Sequence, residues 1–167
     1  MIHRSTLCKT LVAASLAVCL TAGASFAGAV ISVFTPARMQ ELSRRSSVTR
    51  GDCLAAVAAA VFGRDAPTDP LRLIAALEAK RIVRPREAEH LEGPATRGYA
   101  SLLFKRAIGN SQSLFATVFS GSEHYAYNHL VFLGLIPAGS SWVSITGPEL
   151  VSLSSLSRKY LRQEAGK

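Results

Sequence analysis

The pattern that most constrains this chain returns at a near-constant interval. Val48-Thr49-Arg50-Gly51-Asp52 is followed by Pro94-Ala95-Thr96-Arg97-Gly98-Tyr99 and, in a more degraded form, by Ile145-Thr146-Gly147-Pro148-Glu149. The three threonines lie 47 and 50 residues apart, and each precedes an Ala/Leu/Val-rich run. Recurrence at this period predicts stacked supersecondary units. A single two-helix unit cannot cover its own apolar face, so about three are needed for a closed core.

Each copy carries the chemistry of a helix start. A threonine at the N-cap accepts a hydrogen bond from a free N–H in the first turn, and an acid three residues on bonds back to the cap. Thr49/Asp52 and Thr146/Glu149 have that spacing, whereas Thr96/Tyr99 keeps the cap and loses the acid. Capping does not require an arginine after the threonine, yet Arg50 and Arg97 stand there in two copies of three. These two residues are therefore weighed apart from the caps.

The amino terminus reads separately. Arg4 and Lys9 precede an uncharged run from Thr10 to Ala37, with small-residue exits around Ala22-Gly23-Ala24, Ser25-Phe26-Ala27 and Ala27-Gly28-Ala29. This is the pattern of a secretory signal peptide. It gives residues 1–29 as signal, 30–47 as a linker or partial leading helix, and 48–167 as the repeat domain. The alternative is a retained anchor, since the uncharged run is long enough to cross a bilayer. Export places the mature protein in the periplasm, cell wall or cell surface, beginning at Ser25, Gly28 or Val30. Cleavage removes Cys8 and Cys19 and leaves Cys53 without an intrachain partner. It also lowers the formal charge from +8 to +6. A basic exported chain is suited to anionic envelope polymers or lipid headgroups.

Periodicity predicts a short leading helix over 37–45 and a helix after Thr49, with Leu54, Val57, Ala58, Val61 and Phe62 on its faces and Gly63 as its stop. Asp69-Pro70 opens a helix to about Lys80 that is expected to bury Leu71, Ile74, Ala75 and Leu77. A non-helical link, 84–95, leads to a helix with Leu102, Leu103, Ala107 and Ile108, ended by Gly109-Asn110. Leu114 to Phe119 fits a short buried strand or a helical turn. Glu123 to Leu133 forms a further helix, and Trp142 to Ile145 an extended piece. The last helix is expected to bury Leu150, Leu153, Leu156 and Tyr160 or Leu161.

This order of helix, apolar exit, loop and Thr-capped helix resembles the S-layer homology repeat. The family's Thr-Arg-Ala-Glu motif is matched best by Thr49-Arg50-Gly51-Asp52, in part by Thr96-Arg97-Gly98-Tyr99, and only at its ends by Thr146-Gly147-Pro148-Glu149. Gly134-Leu135-Ile136-Pro137 is similar to the family's exit, whereas Arg81-Ile82-Val83 lacks its glycine. The resemblance covers about residues 48–162. It implies a mainly α fold, an array of helix-loop-helix units around a central helix bundle with short extended pieces in the loops. It also implies a non-catalytic anchoring module whose inter-unit grooves hold an anionic envelope polysaccharide or peptidoglycan-linked polymer. Carried over, Arg50 and Arg97 are the ligand residues and Asp52 orients the loop. A guanidinium beside free helix N–H groups suits a shared carboxylate. The alternative, from the missing third arginine and the lack of a cargo domain, is an exported scaffold binding other envelope proteins.

Other chemistries find little here. His124 and His129 are five residues apart, on different helix faces, with no cysteine pair to complete a metal site. No Gly-rich phosphate loop is present, and Ser120-Gly121-Ser122 is not a hydrolase elbow. The expectation is a chain that is not an enzyme and uses no cofactor or metal. Low aromatic content and an export signal also argue against nucleic-acid binding.

Overall fold

A computed structural model describes residues 34–109 and 121–166. The proposed signal at 1–29 and the ambiguous 114–119 stretch lie outside them. The described part is mainly helical: α1 Pro36–Leu42, α2 Arg50–Phe62, α3 Pro70–Ala79, α4 Arg97–Ile108, α5 Glu123–Phe132 and α6 Gly147–Ala165. No described helix is long and apolar enough to cross a membrane.

The start signals act as their chemistry requires. Thr49, Thr96 and Thr146 are the N-caps of α2, α4 and α6, each in extended backbone with its hydroxyl accepting from the N–H three residues on. Full capping boxes form at Thr49/Asp52 and Thr146/Glu149. Thr35, Asp69 and Ser122 cap α1, α3 and α5. The leading helix stops at Leu42, short of its expected end at Arg45, because Ser43 takes the C-cap.

The three Thr-capped helices α2, α4 and α6 pack against one another and form the interior. α2 is buried without a break from Gly51 to Ala58, as expected of a helix that is apolar all round. Its alanines let α6 approach closely. There Ser154 is buried and its hydroxyl donates to the Ala56 carbonyl at 3.0 Å. The shorter helices cover the outside, α3 on α2, α5 on α4 and α1 on α6.

Two burial expectations need correction. On α3 the core residues are Leu73 and Leu77, while Leu71 is 67% exposed and Ala75 is also exposed. Leucine and alanine occupy several faces of this helix, so spacing alone could not choose between them. On α6, Leu150 and Leu153 are buried as expected, but Leu156 is 41% exposed and Ser154 and Ser157 take the inner face. Ser154 fits there because α2 and α6 come close enough for its hydroxyl to reach the Ala56 backbone carbonyl, an approach that a leucine side chain would block.

The exits of α3 and α5 share one geometry despite unlike residues. Ile82 N–H donates to the Leu77 carbonyl and Leu135 N–H to the Leu130 carbonyl, with Arg81 (φ 58°) and Gly134 (φ 68°) both left-handed. The apolar residues that follow, Ile82 and Val83 or Leu135 and Ile136, then turn into the core.

Candidate ligand-binding site

The three helix starts are tied to each other through backbone. Arg50 and Gly51 donate their N–H groups to the carbonyls of Gly93 and Leu91, both at 2.9 Å. Arg97 and Gly98 donate to Val143 and Ser141 at 2.9 and 2.8 Å. Gly147 donates to Arg45 at 3.0 Å, and Pro148, which follows it, has no N–H to give. Inside these contacts, Ala95 N–H meets the Val48 carbonyl at 2.9 Å and Ile145 N–H meets the Ala95 carbonyl at 3.0 Å. Val48, Ala95 and Ile145 are all buried. Each start is thus held by the stretch that precedes the next, and the third returns to the stretch that precedes the first.

This corrects one expectation. The first-turn N–H groups beside Arg50 and Arg97 are not free for an anion. The first two bond to neighbouring carbonyls, and the third bonds to the capping threonine. Any anion held at these starts must be held by side chains.

The side chains follow the same order. Arg97 reaches Glu149 with two prongs, at 2.5 and 3.4 Å, joining the second start to the acid of the third. Burial pushes the Glu149 carboxyl up. The Thr146 backbone N–H and the Arg97 and Thr146 side chains outweigh it, so the net effect holds Glu149 below its ordinary range. Arg50 lies in the corresponding place between the first and second starts. It finds Tyr99 in the position of the acid, its guanidinium 5.0 Å from the ring centroid. No described carboxylate pairs with it, and both its Nε and the Tyr99 hydroxyl are buried without a hydrogen-bond partner. Burial holds the Tyr99 phenol far above its usual range, so it stays neutral.

At the third start no arginine can stand. A Cβ on Gly147 would collide with the backbone carbonyl of Leu42. The charge facing Asp52 comes instead from the leading segment, with Arg38 at 2.7 Å and Arg45 at 3.6 Å. Asp52 is 6% exposed and also accepts from the Thr49 N–H at 3.0 Å. The acid missing from the second start is likewise supplied from elsewhere: the Thr96 hydroxyl donates to Glu123 at 3.2 Å. Gly98 leaves the room for it, since a Cβ there would stand 3.0 Å from the Glu123 side chain.

Of the three candidate residues, the structure engages Asp52 and Arg97 in ion pairs and leaves Arg50 with an aromatic partner alone. Sequence reasoning missed Arg38, Arg45, Glu123 and the role of Tyr99. Only Tyr99 was signalled, by standing where the motif's acid is absent. Beside Tyr99, Arg106 bridges Glu87 at 2.7 and 3.1 Å and donates to the Ile82 carbonyl. Cys53 is fully buried and its thiol is pushed far up by that burial, which makes it inert packing. His124 contacts Ser141 and Asn128, and no group of three potential metal ligands exists among the described residues.

Compared with known protein-family models, curated proteins and solved structures, the chain matches none of them.

Proposed function

We propose that the chain is a non-catalytic binding module of the cell envelope, built as three S-layer-homology-like units around a central bundle, which docks on an anionic envelope polysaccharide. The mutual packing of the three Thr-capped helices supports the arrangement. One observation carries the function: two starts open with Thr-Arg-Gly, and only Arg97 has a carboxylate partner. Arg50 is half-buried, lies over the Tyr99 ring at 5.0 Å from its centroid, and pairs with no described carboxylate. A planar guanidinium fixed in this way presents a two-pronged donor edge to a carboxylate or phosphate of a polymer lying between the first two units.

Co-sedimentation with purified sacculi tests the proposal. The full chain pellets at low salt and is released at high salt, because the contact is electrostatic. Arg50→Ala abolishes pelleting, and Arg50→Lys does not fully restore it. A wild-type chain that stays in the supernatant at low salt, or an Arg50→Ala chain that pellets normally, sinks the polymer reading.

A second reading is favoured by exposed apolar surface. Phe132, Trp142 and Val143 are 86%, 73% and 50% exposed, a composition suited to a protein partner. Pull-down from an envelope extract separates the two, since polymer digestion abolishes only the first kind of binding.

A further inference from the structure

Away from the helix starts, α1, the end of α2 and the second half of α6 line a half-open cavity of about 730 Å³. Three arginines line it: Arg158 and Arg162, one turn apart on α6, and Arg64 from the turn after α2. The same three also line an adjoining hollow of about 390 Å³. Arg38, Arg45, Arg97 and Arg106 each have a carboxylate within ion-pair distance, whereas none of the three cavity arginines pairs with a described acid. Asp65 borders the smaller hollow without reaching them. Like charges one helical turn apart repel, so the placement costs stability unless an anion lies between them.

The cavity seats Arg158 and brings apolar side chains to the arginine cluster. Arg158 lies against Gly63, its terminal nitrogen 3.0 Å from where a Cβ would stand, at the C-terminal end of α2. Gly63 is left-handed (φ 64°), so the backbone there keeps the surface bare of side chain. Phe34 and Met39 also line the cavity, as does Thr68. Phe34 belongs to the uncharged run that ends at Ala37, so the cavity joins the end of that apolar stretch to the arginine cluster. Guanidinium groups and apolar side chains lining one cavity fit a phosphate carried on a hydrocarbon body.

We propose that this cavity binds the phosphate of an anionic phospholipid headgroup, with Arg158, Arg162 and Arg64 on the phosphate and Phe34 and Met39 against the first carbons of the acyl region. The site is separate from Arg50 and does not depend on the polymer reading.

The test is calorimetric titration of the full chain with soluble dihexanoyl phosphatidylglycerol, dihexanoyl phosphatidylcholine and inorganic phosphate, in parallel. The phosphatidylglycerol is expected to bind. Arg158→Gln and Arg162→Gln should each weaken it about ten-fold or more, the loss of one charged hydrogen-bonded contact. Lys159→Gln, which removes the same charge from the same helix outside the cavity, and Arg50→Ala should leave it unchanged. Circular dichroism of the variants checks folding, and Arg162, being exposed, can be removed without disturbing the core. Binding that survives both arginine substitutions, or that Lys159→Gln weakens equally, overturns the site. Equal binding of the zwitterionic lipid, or of inorganic phosphate as tightly as the lipid, overturns the assignment to an anionic lipid.

Discussion

Arg50 lies over the ring of Tyr99 in the place where, one helix start later, Arg97 meets Glu149. The same residue type in the same local sequence is therefore a cation over an aromatic ring at one junction and an ion-pair tie at the next. The two substitutions to alanine should separate accordingly. Arg50→Ala loses a partly desolvated cation–π contact and should cost about 1 kcal/mol in denaturant unfolding. A loss several times larger would make Arg50 a structural tie and remove it as the ligand residue.

Arg97→Ala is expected to cost more, about 2 kcal/mol, because it strands the half-buried Glu149 carboxylate without its charged partner. The pH dependence follows in sign. Glu149 is held below its ordinary 4.5, so the folded protein binds fewer protons there than the unfolded chain. That stability is present above the ordinary value and is lost as pH falls through the lower folded value. In Arg97→Ala the folded value moves back up toward the ordinary one, so this acid-dependent loss should shrink, which urea midpoints measured down the acid range will show.

Gly147→Ala should be among the most damaging single-methyl changes in the chain. The added carbon has to occupy the position of the Leu42 carbonyl, which is backbone and cannot rotate away. An expected loss of about 3 kcal/mol or more would appear as a lowered melting temperature. Unchanged stability would mean that α1 is not seated on α6 in solution.

Arg81→Gly should act in the opposite direction. Arg81 holds a left-handed backbone at the exit of α3, where the exit of α5 uses Gly134. Relieving that conformation is worth about 1 kcal/mol, less some gain in unfolded-state freedom. The check is a raised denaturant midpoint with an unchanged slope.

His129 gives the chain a second acid sensitivity, at milder pH. Burial, with Lys105 nearby, holds its imidazole below the ordinary 6.5. Lys105 itself is 7% exposed, lies 4.3 Å from the centre of the Tyr125 ring, and is lowered by burial and by Arg106. The unfolded chain binds the proton more readily, so stability should fall as pH drops through 6.5 and level off below the folded value. His129→Gln should flatten that part of a melting-temperature profile.

The caps, the helix order and the apolar stripe of α2 were legible in the sequence because each is decided within one or two turns. Thr49 and Asp52, Thr146 and Glu149, Gly63 and Gly109 act on their immediate neighbours. The partners of Arg97 and Asp52 were not legible. Glu149 is far along the chain from Arg97, and Arg38 meets Asp52 only because α1 is folded back. The absent third arginine looked like decay, yet Gly147 is required by the carbonyl of Leu42. The inner face of α6 was misread at Leu156 because hydrophobicity was taken as the guide, whereas the close approach of α2 at Ala56 is met by the small side chain of Ser154.

The seat of α1 on α6 also orders the assembly of the molecule in time. A chain is synthesised from its amino end, so α1 is made well before the surface it rests on. Until α6 arrives, Leu42 has no Gly147 beside it and the Arg45 carbonyl has no donor from the third start. The two inner helices made earlier can pair with each other, but the interior stays open on one side. Residues of α1 and α6 therefore decide together when this bundle closes, and it stays open until α6 is free to dock.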